Sequence, residues 1–177
     1  MLDGDHPRAL ALLGHSRSFL HRDYSSALEL HKRALDIAPN DAETNLWTIP
    51  TLAFTGQGDE AVRRAERAIR LSPMDPLLYR SQHVLSIALY TTGSWEEAAD
   101  WGIQSMLSNG EYTSNLRFTA AALAAGGRMD EARIVASRLL ALIPEERVSA
   151  ALGRIPYRDP LIRARYAQHL LAAGIPP

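Results

Sequence analysis

A short pattern of small and turn-forming residues recurs along the chain at a nearly constant spacing. Ala27 is followed by Ala61, Ala98 and Ala132, and the stretches around these alanines are alike: RDYSSAL, GQGDEAV, GSWEEAA and GRMDEAR. The successive spacings are roughly 34, 37 and 34 positions, within the period of about 20–50 that is typical of an array of stacked units. In such an array each unit buries its apolar face against the next.

Each of these stretches predicts a turn that is followed by the first turn of a helix. Gly56, Gly93 and Gly127 lie five residues before their alanines, where one helix must end and the chain must reverse. Glycine accepts the left-handed backbone conformation that such helix ends often use. Arg22 holds this position in the first unit, so its turn must be made differently.

Small side chains also recur within each predicted second helix. Ala34 follows Ala27 by seven residues, which puts both on one face of a helix, and Pro39 then ends that helix. The same two positions hold Ala68 and Pro73 in the second unit, Ser105 and Gly110 in the third, and Leu139 and Pro144 in the fourth. Two helices can approach closely where side chains are small, so these positions mark the seam between paired helices.

The pattern resembles the tetratricopeptide repeat, a helix–turn–helix unit of about 34 residues. This resemblance implies an all-α fold, a right-handed α-solenoid of about four helix pairs with a C-terminal capping helix. The first helices carry little of the family's aromatic and glycine signature; Ala11, Gly14, His15 and Ser18 stand there in the first unit. We predict helices over 8–21, 24–37, 42–55, 58–71, 76–91, 95–107, 112–125 and 129–142.

A single domain over residues 1–177 follows from this reading, with repeats at about 8–40, 41–74, 75–111 and 112–145 and a capping segment over 146–177. Asp75 and Pro76 are expected to begin the third unit's longer first helix. In the capping segment, Asp159 and Gly174 are expected to begin and end a last helix. Because no capping element precedes the first helix, we expect the chain to be part of a longer protein or to have that end covered by a partner.

Three segments resemble a narrower group: LLGHSRSFLHRDYSSALELHKRALDIAPND, RLSPMDPLLY and IPYRDPLIRARYAQHLLAAGIP. They are similar, in the same order, to the C-terminal repeat region of bacterial class III adenylate and guanylate cyclases. Similar regions follow winged-helix DNA-binding domains in some bacterial transcription regulators. The resemblance implies a regulatory or protein-binding module beside an N-terminal output domain, and it leaves both kinds of parent protein open.

Composition argues against several other classes of function. The 177 residues include no cysteine, and 19 basic and 20 acidic residues give a net charge of −1. We therefore expect no nucleic acid or membrane partner, no thiolate metal site and no cofactor. The N-terminal stretch MLDGDHPRAL lacks the regions of a signal peptide, so we expect a cytoplasmic protein. No catalytic motif is recognisable, and the chain is expected not to be an enzyme.

The remaining candidate site is the groove that the first helices would line. Counting back from each turn gives the inward positions Leu12, Ser16, Phe19, Trp47, Arg80, His83, Ile87, Tyr90 and Arg117. Aromatic anchors with a few cationic donors could hold a protein or peptide partner. The alternative is that the apolar residues belong to the core and that Arg80 and Arg117 are solvated.

Two further expectations concern the first half of the chain. Pro50 should bend its helix, either as a tolerated kink or as a reshaped groove beside Trp47. The outer face of the first helix, with Leu10, Leu13 and Leu20 as candidates, lacks a neighbour. We expect a homodimer formed through this first unit.

Overall fold

The computed structural model describes residues 6–177, and these form an α-solenoid with no strand. The ten helices are α1 (Pro7–His21), α2 (Tyr24–Ile37), α3 (Ala42–Phe54), α4 (Gly58–Leu71), α5 (Leu78–Thr92), α6 (Trp95–Ser108), α7 (Thr113–Ala125), α8 (Met129–Leu142), α9 (Val148–Arg154) and α10 (Pro160–Ala172). The eight repeat helices agree with the predicted ranges to within two residues at each end. The signal-peptide argument rests partly on residues 1–5, which lie outside the described residues.

The first small position of each predicted seam is buried in the structure. Ala27, Ala61, Ala98 and Ala132 are completely buried, as the repeat pattern predicts. Helices α1, α3, α5 and α7 pack side by side in that order, so the first helix of each pair contributes to one continuous surface. This packing confirms the prediction of stacked helix pairs.

Reversal between paired helices uses the left-handed conformation in all four units. Gly56, Gly93 and Gly127 have φ angles of 87°, 89° and 79°. Arg22 adopts φ 57° at the equivalent place in the first unit, which costs about 1–2 kcal/mol for a side chain other than glycine. The first turn therefore keeps the same geometry with a less suitable residue.

The third unit begins differently from the prediction. Helix α5 starts at Leu78, two residues after the expected Pro76, because residues 72–77 form turns. Asp75 does not cap α5 directly: its Oδ1 accepts a hydrogen bond of 2.8 Å from the Leu77 amide and stabilises the turn before the helix. The extra length is thus shared between this connection and α5, which has 15 residues against 13 in α3.

The face of α1 also differs in one residue from the prediction. Leu10 is buried against Ala11 and Ala34, whereas Leu13 and Leu20 are exposed. Leu10 was expected on the outer face, but the helix turns it towards α2. The exposed apolar strip of α1 is therefore narrower than expected.

The C-terminal segment forms the predicted last helix. The Asp159 side chain accepts a hydrogen bond of 2.8 Å from the Leu161 amide at the start of α10, and Gly174 follows its end with φ 98°. Tyr166 and Leu170 are buried, and α10 packs against α7 of the last repeat. The helix therefore packs on the first helix of the last pair, and its Tyr166 and His169 also reach Tyr90 of α5.

Residues 146–159, which we call the C-terminal strap, make contacts that the sequence does not predict. The strap reaches back from the fourth helix pair to the first and second pairs. Arg22 Nη2 donates a hydrogen bond of 2.8 Å to the Gly153 carbonyl, and the Arg158 amide donates one of 2.9 Å to the Phe54 carbonyl. The strap thus lies along the surface formed by the first helices.

Candidate functional site

A cavity of about 170 Å³ opens on the surface formed by α1, α3, α5 and α7. Each of these helices contributes to the lining, with Phe19 from α1, Trp47 from α3, His83 from α5 and Phe118 from α7. Ile155 of the C-terminal strap completes the wall. The cavity therefore exists only when four repeats and the strap come together.

Aromatic rings form a large part of the inner wall. The ring centroid of Phe54 lies 6.5 Å from that of Phe19 and 6.5 Å from that of Phe118. Behind this wall, Tyr157 of the strap makes an edge contact of 5.0 Å with Phe54. Such contacts lie within the usual range for aromatic pairs, so the wall is apolar and held from behind.

Pro50 belongs to this wall as well. It lies inside α3 and, with Leu46, lines the cavity. Proline has no amide hydrogen, so it cannot donate to the Leu46 carbonyl four residues earlier. Both residues therefore lie at the cavity beside Trp47.

His83 is held in one neutral tautomer. The Asn115 side chain donates through Nδ2 to the Gly102 carbonyl at 2.8 Å, and its Oδ1 lies 3.2 Å from His83 Nδ1. An amide oxygen only accepts, so Nδ1 carries the hydrogen and Nε2 accepts from the Ser114 hydroxyl at 3.0 Å. Burial lowers the pKa of His83 to about 3. The ring is therefore an uncharged wall of the cavity at neutral pH.

His15 is also uncharged at neutral pH. Its ring lies 5.2 Å from that of Phe19 and 5.1 Å from that of Trp47. Burial among these neighbours lowers the pKa of His15 to about 4. Its Nδ1 atom is buried and has no hydrogen-bond partner among the described residues.

Arg80 supplies the positive charge of the cavity. It is the one charged side chain among the described residues of the lining. Its guanidinium carbon lies 4.9 Å from the Trp47 ring centroid, within the range of a cation–π contact. The carboxylate of Glu43 is 3.7 Å from Arg80 Nη1, and the same Glu43 Oε1 accepts a hydrogen bond of 3.0 Å from Trp47 Nε1.

The structure separates the predicted groove residues into two groups. Those that line the cavity are Phe19, Trp47, Arg80, His83 and Ile87. Those outside its lining are Leu12, Ser16, Tyr90 and Arg117. Leu12 is 45% exposed on α1, and the Ser16 hydroxyl donates to the Leu12 carbonyl at 2.9 Å.

Tyr90 and Arg117 are buried and have other partners, so the interpretation of Arg117 as a solvated residue is wrong. The Tyr90 hydroxyl lies 2.7 Å from His169 Nδ1 on α10. Arg117 makes a two-point contact with Glu146, with Nε–Oε1 and Nη2–Oε2 distances of 2.9 and 2.6 Å. Both side chains therefore anchor the C-terminal segment and lie outside the cavity lining.

Glu146 is the centre of a buried charged network. Arg154 Nη1 adds two contacts of 2.9 Å to the same carboxylate, whose side chain is fully buried. Burial by itself raises the pKa of Glu146, but the hydrogen bonds and charges of Arg117 and Arg154 lower it below its usual value. The carboxylate is therefore charged, and it ties the strap to α7.

Several wall residues were missed by sequence reasoning. Phe54 lies seven residues after Trp47, two helical turns along the same face, so the helix period could have identified it. Phe118 follows Arg117 by one residue, and a small error in helix register displaced it from the predicted set. Ile155 carries no local signal, since it reaches the cavity through the strap.

The described residues include no group of three or more His, Cys, Asp or Glu side chains that could hold a metal ion. In the same part of the chain, every helix is too short or too polar to cross a bilayer. What the cavity offers is an apolar pocket of defined size with a cation beside it.

No family profile matches the chain, and no curated protein matches its sequence. Solved structures do match its fold. PilW, a widely conserved type IV pilus biogenesis factor, is 17% identical and superposes with a TM-score of 0.73, covering 97% of this chain and 74% of PilW. A thermophilic tetratricopeptide-repeat protein of Thermus thermophilus is 22% identical, with a TM-score of 0.64 over 93% of this chain and 99% of that protein.

The protein MamA gives a third match, 18% identical with a TM-score of 0.62, covering 90% of this chain and 91% of MamA. At these identities the likeness establishes the fold alone. It is the tetratricopeptide-type α-solenoid that the repeat period predicts.

Proposed function

We propose that this chain is a non-catalytic module that binds a protein partner, and that the cavity on the first-helix surface receives a side chain of that partner. The observation that carries the proposal is the aromatic cavity itself, which four repeats and the strap build together. Apolar pockets with a few convergent polar groups are the usual binding sites of folded proteins. Here the pocket is the size of one side chain, which favours a polypeptide as the partner.

A displayed library of random dodecapeptides tests this role directly. Wild-type protein is expected to enrich peptides that Val84→Phe does not bind, because Val84 lines the cavity and the added ring would fill it. Leu107→Phe is the matched control, since it adds a ring at a position that is 76% exposed on α6. Enriched peptides that bind Val84→Phe as tightly as wild type would contradict the cavity as the site.

The parent protein is the second part of the proposal. We propose that residues 1–177 form one repeat domain that regulates an attached bacterial adenylate or guanylate cyclase in the cytoplasm. The support is the resemblance of three ordered segments, including IPYRDPLIRARYAQHLLAAGIP, to the repeat region of such cyclases. The alternative parent is a transcription regulator with a winged helix, because similar repeats also follow that domain.

The coding sequence upstream of Met1 distinguishes these parents. A cyclase catalytic domain there supports the first, and a basic winged helix supports the alternative. In a full-length cyclase, Val84→Phe is expected to change the regulated rate of cyclic nucleotide formation while the purified repeat domain forms none. Cyclic nucleotide formation by the repeat domain alone would contradict a non-catalytic role.

We also propose that the module forms a homodimer through its first helix pair. Leu13 and Leu20 are exposed on α1, and Arg17 and Glu29 lie beside Leu13 at the same hollow. In a two-fold interface, Arg17 of one copy could face Glu29 of the other. Light scattering over a concentration series tests this: a constant mass near 19.5 kDa, or a dimer that Leu13→Glu does not weaken, would contradict it.

A further inference from the structure

The volume of the cavity limits its occupant to one bulky side chain. A cavity of about 150 Å³ lined by aliphatic and aromatic residues is large enough for a benzene ring. The cavity here, at about 170 Å³, has a comparable size and a mostly apolar lining, to which Arg80 adds a charge. The side chain of leucine, methionine or phenylalanine is small enough to enter the cavity. A helix that presents several anchor side chains is too large for it.

Arg80 has hydrogen-bond donors that remain unused. Among the described residues its guanidinium makes no hydrogen bond; its contacts are the Trp47 ring at 4.9 Å and the Glu43 carboxylate at 3.7 Å. The contact with the Trp47 ring holds the guanidinium beside the cavity, and its planar set of N–H groups keeps donors free for a further acceptor. The side chain is 23% exposed, so an anion from solvent can reach it.

The two histidines that line the cavity do not add to the positive charge of Arg80 at neutral pH. His15 and His83 have pKa values lowered by burial to about 4 and about 3, so neither adds a positive charge at neutral pH. The Glu43 carboxylate supplies a negative charge near Arg80, and its Oε1 accepts a hydrogen bond of 3.0 Å from Trp47 Nε1. A carboxylate ligand would therefore be attracted by Arg80 and repelled by Glu43.

We propose that the cavity binds an extended partner segment in which one bulky apolar side chain enters the pocket and a neighbouring aspartate or glutamate is bound by Arg80. The inference rests on the proposed function, since it specifies the occupant of the same cavity. The short path from the cavity wall to the exposed guanidinium requires that the two ligand residues be close in sequence. Arg80 offers the planar pair of donors that a carboxylate accepts at two points.

The test uses peptides enriched from the dodecapeptide library, whose C-termini are joined to the coat protein so that only side chains supply carboxylates. The expected consensus is a bulky apolar residue within two positions of Asp or Glu. Arg80→Met is expected to weaken binding of these peptides about ten- to a hundredfold, as for loss of a charged hydrogen bond. Arg80→Lys keeps the positive charge but lacks the planar pair of N–H donors. Its affinity for the peptides is expected to lie between those of wild type and Arg80→Met.

Glu43→Gln is expected to raise the affinity for these peptides, whereas Arg80→Met is expected to lower it. Glutamine keeps an oxygen that can accept from Trp47 Nε1 but removes the negative charge, so peptides should bind more tightly than to wild type. Raising the salt concentration should weaken binding to wild type and leave binding to Arg80→Met nearly unchanged. A merely structural role of Arg80 would produce neither result.

The outcomes separate this inference from the proposed function. Peptides that Val84→Phe fails to bind, but that lack acidic residues and are insensitive to Arg80→Met, would overturn the acidic-segment inference and leave the protein-binding role intact. Failure to enrich any peptide that distinguishes wild type from Val84→Phe would overturn both.

Discussion

Gly14 shows how closely α1 approaches α2 at a single residue. A Cβ atom added there would lie 2.8 Å from His31 Cε1 and 3.0 Å from the Ala27 carbonyl oxygen. His31 cannot move away easily, because its Nε2 lies 3.0 Å from the Thr51 hydroxyl and the ring is buried. The seam between the first two helices therefore depends on the absence of a side chain at this position.

We expect Gly14→Ala to lower the free energy of unfolding by about 1–3 kcal/mol through overpacking, despite a gain of about 1 kcal/mol in helix propensity. Urea unfolding followed by circular dichroism measures this change. Gly153→Ala is the matched control, because an added Cβ at Gly153 in α9 meets nothing within 4 Å. Its stability should be unchanged or slightly raised; equal losses in both variants would refute the steric explanation.

The buried histidines make stability depend on pH. Burial lowers the pKa of His31 to about 3, with a smaller contribution from the charge of His15, and burial lowers that of His83 to about 3. The unfolded chain takes up these protons near the ordinary value of about 6.5, so it binds more protons than the folded chain below that pH. Stability is therefore full above about pH 7 and falls as the pH decreases towards 3.

At pH 5 each such histidine should cost about 2 kcal/mol of unfolding free energy relative to pH 7.5. The urea midpoint of the wild type should decrease between pH 7.5 and pH 5. We expect a smaller decrease for His83→Gln, by the amount that one buried histidine contributes. His21→Gln, at an exposed position, is the control and should leave the slope unchanged. A slope that His83→Gln does not alter would show that another group carries the pH dependence.

At the scale of elements, the Glu146 network joins the strap to α7. The Glu146 carboxylate accepts from Arg117 and from Arg154, and the Arg117 and Glu146 side chains are 9% and 0% exposed. Two buried charges of opposite sign that contact each other at two points compensate for the cost of their burial only while both are present. The junction is therefore sensitive to the loss of either partner.

Glu146→Gln is expected to destabilise the protein by about 3–5 kcal/mol, since it leaves the Arg117 charge buried without a counter-ion. Arg154→Met should cost much less, because the Arg154 side chain is 50% exposed. Thermal unfolding of both variants measures the difference. The double variant Arg117→Met/Glu146→Leu should lose less than Glu146→Gln alone, and a larger loss would argue against an uncompensated charge as the cause.

The elements themselves were largely predictable, and the cavity was predictable in part. Helix positions follow from local signals such as Gly56, Gly93 and the proline after most of the second helices, which act within one or two turns of the chain. Phe19, Trp47 and Arg80 line the cavity, and the helix period counted from the turns is the signal that put them in one set. Arg117 was misplaced because its buried partner, Glu146, lies in a segment with no repeat pattern.

At the scale of the whole molecule, the strap connects parts of the array that are not neighbours. In a simple solenoid each repeat contacts only its neighbours, and stability is a sum of local terms. Here Arg22 contacts Gly153 across 131 residues of sequence, and Tyr24 contacts Pro156 across 132. No periodic signal encodes contacts at that separation, so they could not be predicted. The first and last parts of the array should consequently unfold together.

Hydrogen exchange in a variant that lacks one hydroxyl group tests whether the two ends unfold together. The Tyr24 hydroxyl donates a hydrogen bond of 3.0 Å to the Pro156 carbonyl, and Tyr24→Phe removes it. We expect amide exchange in α9 to become about two- to tenfold faster, since one hydrogen bond contributes about 0.5–1.5 kcal/mol. Asp23→Ala destabilises the same helix, α2, by removing the side chain that accepts from the Ser26 amide, but it touches no strap residue. Because the two ends are expected to unfold together, this second variant should speed exchange in α9 as well as in α2. If both variants sped exchange in α2 and left α9 unchanged, the two ends would be independent, and the strap would be a local attachment of the fourth repeat.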